Sequence, residues 1–203
     1  MRIKESSDEL NPPVLTTGVG LARAAGKRSV RDWVALAVAT CGVGYLPLAP
    51  GTWGSAVGVG LYLLFDAASL RLMNYGAPLG WNTAAISSLR LSGLLLLTLA
   101  LSLAGVWAAT RTEGLLGRKD PGVVVIDEVA GQLMSFLFVP AGAGKWAIVV
   151  GFLAFRAFDI WKPYPIRRLE ALRSGLGIMA DDLLAGAYAC VIVSLFITLQ
   201  LLL

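Results

Sequence analysis

Histidine is missing from all 203 residues. That absence removes histidine phosphatases, Ser-His-Asp hydrolases and most zinc enzymes from consideration. Cysteine is scarce: Cys41 and Cys190 are too few for a zinc site, and both sit in apolar sequence as packing residues. Cys41 is followed six positions on by Pro47, where a cysteine phosphatase needs arginine. Charge is scarce as well, at 15% of residues against 57% hydrophobic, with a mean hydropathy of +0.73. A chain so apolar is an integral membrane protein. No polar linker divides the apolar part and no fixed-period repeat is visible, so one domain over residues 33–203 is expected, preceded by a flexible, basic cytoplasmic arm over residues 1–32. The arm's basic residues precede no uninterrupted apolar run ending in a small-residue cleavage site. Chemistry is left to carboxylates, cations and hydroxyls.

The charge that is present is concentrated. Residues 155–186 hold Asp159, Glu170, Asp181 and Asp182 together with Arg156, Lys162, Arg167, Arg168 and Arg173. Pro163 ends the apolar helix that arrives there, and the spacing puts Arg156, Asp159 and Lys162 on one side of its last turn. Beyond Gly175 and Gly177, the Asp181-Asp182 pair is read as opening another apolar helix, where carboxylates suit the positive helix end. Each piece also has a plain explanation, as an ion pair or a helix cap. The net charge of +4 lies beside apolar segments, six of 17 cations before Trp33 and five in residues 156–173. That placement fits a cytoplasmic membrane surface and anionic headgroups, and implies no nucleic-acid partner.

Two further blocks carry polar chemistry. In residues 42–55, GVGYLPLAPGTWGS, the prolines and Gly51 forbid regular structure. Thr52 and Ser55 follow where a helix begins, as a phosphate grip or as an N-cap. In residues 123–132, VVVIDEVAGQ, Asp127 and Glu128 enter an apolar helix at the membrane boundary, where adjacent acids are costly unless paired or metal-bound.

The expected fold is all-α, multihelical and membrane-integral. Residues 30–40 form a short interfacial helix, 54–70 a short apolar helix, 71–88 an external loop, and 89–110 and 183–203 spanning helices. Residues 130–154 are broken by Pro140 and Gly144; one continuous span would put the basic stretch 156–173 outside, against the positive-inside rule. A re-entrant or tilted helical hairpin is expected instead, with arms of about 14 residues, hence about 21 Å each, and a tip near 140–145. Asp66 reads as interfacial.

Taken together, Pro50-Gly51-Thr52 with Gly54-Ser55, Asp127-Glu128 with Gly131, Phe155-Arg156 with Asp159, Trp161-Lys162-Pro163, Pro165-Ile166-Arg167, and Gly177-Ile178-Met179 with Asp181-Asp182 and Ala185-Gly186 resemble the bacterial phosphatidylglycerophosphatase A family over residues 34–203. The resemblance implies an all-helical, Mg²⁺-dependent enzyme of the bacterial inner membrane that removes the terminal phosphate of phosphatidylglycerophosphate, giving phosphatidylglycerol. Magnesium prefers oxygen ligands, and this chain offers carboxylates and no nitrogen ligand. Asp127, Glu128, Asp159, Asp181 and Asp182 are therefore expected to converge at the cytoplasmic face, binding one or two Mg²⁺ and orienting the attacking water. Arg156, Lys162 and Arg167, with Thr52 and Ser55, are expected to bind substrate phosphates. The D-x-D-x-[TV] motif of aspartyl-phosphate enzymes is absent, which favours direct hydrolysis, and so is the D-G-x-x-A-R core of CDP-alcohol phosphatidyltransferases. The alternative for the same acids is a cation-binding membrane transporter, a class that places its sites at mid-membrane within repeated halves.

Overall fold

A computed structural model describes residues 28–203, so the expected arm lies, up to residue 27, outside the described residues. Seven α-helices and one 3-10 turn make up its regular structure, and no strand occurs among the described residues.

Helix α1 (Val30–Thr40) starts at a capping box: the Ser29 hydroxyl accepts from Asp32 N and the Asp32 carboxylate accepts from Ser29 N. Asp32 is buried and also accepts from Arg111 Nε at 2.8 Å, which ties α1 to α3. Helix α2 (Pro50–Gly76) begins with a proline at its first position, where the missing N–H costs nothing. Helix α3 (Thr83–Leu116) is capped by Asn82, whose side chain accepts from Ala84 N. Both are longer than expected, and the external loop expected over 71–88 is corrected to little more than the 3-10 turn Ala77–Leu79 and its flanks. Residues 71–75 hold no helix breaker, so α2 continues through polar sequence until Gly76 and Pro78 stop it. Polarity there marks water, not coil. At 34 residues α3 is about 51 Å long, well beyond a hydrocarbon core of about 30 Å.

Helix α4 (Ile126–Ser135) and helix α5 (Lys145–Trp161) form the expected hairpin, with its turn over 136–144. Its arms are unequal, about 15 and 26 Å at 1.5 Å per residue. Eight of the 10 residues of α4 are buried, so it is covered on all sides by its neighbours. That covering lets a broken helix with polar residues sit at membrane depth. Short α6 (Ile166–Leu169) leads to α7 (Gly175–Leu202). Helices α2 with its 3-10 extension, α3 and α7 are long and apolar enough to cross a membrane.

Two features fix α4. Its crossing with α7 is made through glycine: a Cβ on Gly131 would lie 2.6 Å from the Asp182 carbonyl oxygen, and one on Gly186 would lie 2.2 Å from the Gly131 carbonyl oxygen. The two backbones touch there, as small-residue helix contacts in membranes allow. At the hairpin's far end, Arg90 pairs with Asp66 at 2.9 Å, donates to Tyr62 Oη at 3.0 Å and donates to the Val139 carbonyl, while Gly142 N donates to Asp66 at 3.3 Å. Asp66 is thus a structural partner for the turn.

Replacing Gly186 with Ala is expected to lower thermal stability in detergent markedly, on the scale of about 1–3 kcal/mol for overpacking. Gly60→Ala, where a new Cβ meets nothing within 4 Å, is expected to leave it unchanged or slightly raised. Equal melting temperatures for the two variants would contradict the glycine contact.

Candidate active site

The second and third residues of α4, Asp127 and Glu128, face Asp182 of α7. One carboxylate oxygen from each of the three lies within 4.8 Å of the others. Two elements beyond α4 and α7 complete the surroundings. The C-terminal part of α5 brings Arg156 and Asp159, which pair with each other and are largely buried. Asp159 faces both Glu128 and Asp182. The first turn of α2 presses in from another side: a Cβ on Gly51 would lie 2.3 Å from Glu128 Oε1 and 2.9 Å from Arg156 Nη1. Only glycine fits there, and the two residues leading into that turn, Leu48 and Ala49, hold left-handed backbone (φ 66° and 49°). Such strain persists where the surroundings over-determine it.

The electrostatics are unbalanced as they stand. Two unit charges 4 Å apart repel by about 4 kcal/mol even at an effective dielectric constant of 20. Asp127 and Asp182 are 8% and 3% exposed, and Asp127 Oδ1 and Glu128 Oε2 are buried with no hydrogen-bond partner. Burial first, then the neighbouring carboxylates of Glu128 and Asp182, pushes Asp127 well above the ordinary carboxylate range. An all-oxygen donor set with orphaned buried oxygens fits a hard divalent cation such as Mg²⁺, which would satisfy both the charge and the lone pairs.

The expected residues do not all converge. Asp181 and Asp182 are buried in the second turn of α7, which starts at Gly175 after Ser174, so the helix-cap explanation for the pair is excluded. Consecutive helical residues point about 100° apart, and the Asp181 carboxylate accepts from Lys162 Nζ at 2.6 Å instead of joining the three acids. Lys162 also donates to Glu170 at 2.8 Å. Burial works to lower the Lys162 pKa, but the hydrogen bonds it donates to Asp181 and Glu170 outweigh it and raise it, so the ammonium stays charged. Ser55 is fully buried, and its hydroxyl donates to the Gly51 carbonyl at 2.9 Å within its own helix. That proton is not offered to a ligand. Thr52 is exposed at the start of α2, its backbone N–H bonded to the Ala49 carbonyl. Arg167 lies in a separate hollow of about 440 Å³ with Trp161, Lys162, Tyr164 and Arg168. Sequence reasoning gave Glu170 no role and read Gly51 as a breaker of regular structure, whereas Gly51 lies in the first turn of α2. Gly51 acts by having no side chain, which leaves no chemical signal; Glu170 stood in the charge-dense stretch without a visible partner.

Comparison with known proteins gives a consistent result. The family described as Phosphatidylglycerophosphatase A matches residues 36–197. A Bacteroides thetaiotaomicron protein provisionally named a phosphatidylinositol-3-phosphatase is 35% identical, covering 75% of this chain and 86% of that protein. Proteins named Phosphatidylglycerophosphatase A from Haemophilus influenzae and Escherichia coli are 34% and 30% identical, covering 75% and 76% of this chain and 81% and 77% of theirs. No solved structure matches.

Asp182→Asn keeps the shape of the cluster and removes one repelling charge. Without divalent metal it is expected to melt a few degrees above the unsubstituted protein; Mg²⁺ should raise the melting temperature of the latter and not of the variant. Equal Mg²⁺ shifts in both proteins would show that the three acids do not hold the cation.

Proposed function

The chain belongs to the phosphatidylglycerophosphatase A family, and from that premise we propose that it removes the terminal phosphate of phosphatidylglycerophosphate, leaving phosphatidylglycerol, at a Mg²⁺ site held by Asp127, Glu128 and Asp182. One observation carries this reading: three carboxylates, those of Asp127 and Asp182 buried and those of Asp127 and Glu128 each with an unpartnered oxygen, meet beside helices long enough to span a bilayer. A lipid phosphate reaches such a site while its acyl chains stay in the bilayer. Basic residues are dense at the same end, in residues 156–173, which supports the cytoplasmic face of a bacterial inner membrane. The cation-transporter alternative loses its ground, because the acids stand near helix ends and not midway along a broken span.

Bound Mg²⁺ supplies Lewis-acid polarisation of a phosphoryl oxygen and offsets charge there. Arg156, whose Nη1 lies beside the first turn of α2, faces the same space and takes the charge that builds on the equatorial phosphoryl oxygens. Asp159, fixed by Arg156 and facing Glu128 and Asp182, is the carboxylate best placed to orient a water and accept its proton. The water oxygen forms the new bond to phosphorus as the ester P–O bond to the glycerol carbon chain breaks. The departing alkoxide takes the proton that Asp159 accepted, and inorganic phosphate leaves. Lys162 keeps a third N–H free of the two carboxylates that hold it, and that donor is directed to the substrate's phosphodiester; Arg167, in the hollow it shares with Lys162, and Thr52, exposed at the start of α2, remain substrate contacts in this reading.

Purified protein in mixed micelles is expected to release inorganic phosphate from phosphatidylglycerophosphate only with Mg²⁺ present. Chelation should abolish turnover and added Mg²⁺ restore it. Undiminished phosphate release after exhaustive chelation would remove the metal from the mechanism. Asp127→Asn should lower kcat by about 100-fold or more, on the scale of losing one electrostatic stabiliser.

A further inference from the structure

A hollow of about 590 Å³ opens where the end of α3 meets the connection from α6 to α7, and none of the three clustered acids lines it. Its cations come from two parts of the chain: Arg118 and Lys119 follow the C-cap of α3, and Arg173 precedes the start of α7. All three residues are exposed. The polar groups beside them divide unequally into donors and acceptors. Glu113 is the one carboxylate on the wall, and both of its oxygens are taken, one by Asp120 N at 2.9 Å and the other by the Ser174 hydroxyl. The Thr110 hydroxyl accepts from Gly175 N at 3.2 Å. Lys119 gives one N–H to the Glu170 carbonyl at 3.4 Å, while Arg118 and Arg173 form no ion pair among the described residues.

The wall's carboxylate is spent and its donors are left over, so a ligand that fits must bring acceptors and negative charge. The planar donor fork of arginine suits a phosphate. Asp120 and Glu170 belong to the neighbouring hollow, where Lys162 already holds the Glu170 carboxylate. Helix polarity adds an independent sign. Arg118 and Lys119 suit the carbonyl end of α3, but Arg173 stands just before a helix start, where a cation is unfavourable unless an anion answers it. Depth narrows the class further. Residues 91–110 of α3 carry no charge and rise about 30 Å, the thickness of a hydrocarbon core. Thr110, the last of them, lies on the wall of the hollow, which therefore sits at headgroup level. Beside the cations, Leu172 and Leu176 are 44% and 57% exposed, an apolar footing that a soluble anion does not use.

We propose that this hollow binds the headgroup of an anionic phospholipid from the surrounding leaflet. Arg118, Lys119 and Arg173 hold its phosphodiester, and the upper part of its acyl chains rests on Leu172 and Leu176. This is a lipid site apart from the acid cluster, and it stands whether or not the phosphatase reading holds. An occupied site ties the end of α3 to the start of α7 through one shared anion, so its occupancy is read as stability and not as turnover.

The test measures melting temperature in neutral dodecyl maltoside micelles with a chelator present, so that neither Mg²⁺ nor turnover contributes. Saturating dioleoylphosphatidylglycerol is expected to raise the melting temperature by about 3–6 °C, the shift produced by a ligand at about ten times its Kd. Zwitterionic dioleoylphosphatidylcholine and inorganic phosphate should each leave it unchanged. Arg118→Gln combined with Arg173→Gln should remove most of the shift. Arg28→Gln combined with Arg31→Gln lowers the net charge equally at another exposed place and should keep it, as should Asp182→Asn in the acid cluster. If the Arg118 and Arg173 double variant does not fold, Lys119→Gln takes its place and should reduce the shift. No shift with phosphatidylglycerol, an equal shift with phosphatidylcholine or phosphate, an unchanged shift in the deciding variant, or its loss in either control overturns the proposal.

Discussion

Three carboxylates with one oxygen each within 4.8 Å of the others, two of them buried and the third partly so, are the constraint to which the rest of this molecule answers. Left to themselves they would repel one another and draw in water, and a bilayer edge offers too little water to screen them. They stay together because their backbones cannot move apart. Asp127 and Glu128 are carried by a helix enclosed on all sides, and Asp182 by a helix that meets it backbone to backbone through Gly131 and Gly186. The packing does not answer the charge; it confines it.

Enclosure of α4 depends in turn on the far end of the hairpin. A ten-residue helix cannot cross a bilayer, so its turn must find polar partners at depth. The Arg90 and Asp66 pair supplies them, with Arg90 bound to the Val139 carbonyl and Asp66 to Gly142 N. Neither charge is left unpaired, and the turn is fixed to both α2 and α3. The two ends of the hairpin thus do different work: one anchors the element, and the other presents its acids to the site.

Charge in this protein is sorted by helix face as much as by sequence position. Asp181 and Asp182 are neighbours in the chain, yet one looks toward Lys162 and Glu170 and the other toward Asp159 and Glu128. The α7 helix separates the three-acid cluster from a face whose carboxylate is paired with Lys162. Arg156 and Lys162 are divided in the same way at the end of α5, one pairing with Asp159 and the other with Asp181.

By itself the sequence determined the membrane class, the hairpin and the family, because hydropathy and the positions of proline and glycine are local or additive properties. It was read wrongly at residues 71–88, where polar side chains on a continuing helix resemble a loop when only composition is weighed. It also placed Asp181 and Asp182 at a helix start, since the two glycines before them look like breakers; packing against α3 keeps the helix going, with Gly175 close enough that a Cβ would lie 2.3 Å from the Val106 carbonyl oxygen. Only the tertiary structure decided which acids meet. Convergence of α4, α5 and α7 on one point, and the direction in which each carboxylate leaves its helix, depend on helix crossing and rotation, and those are set by contacts between residues far apart in the chain.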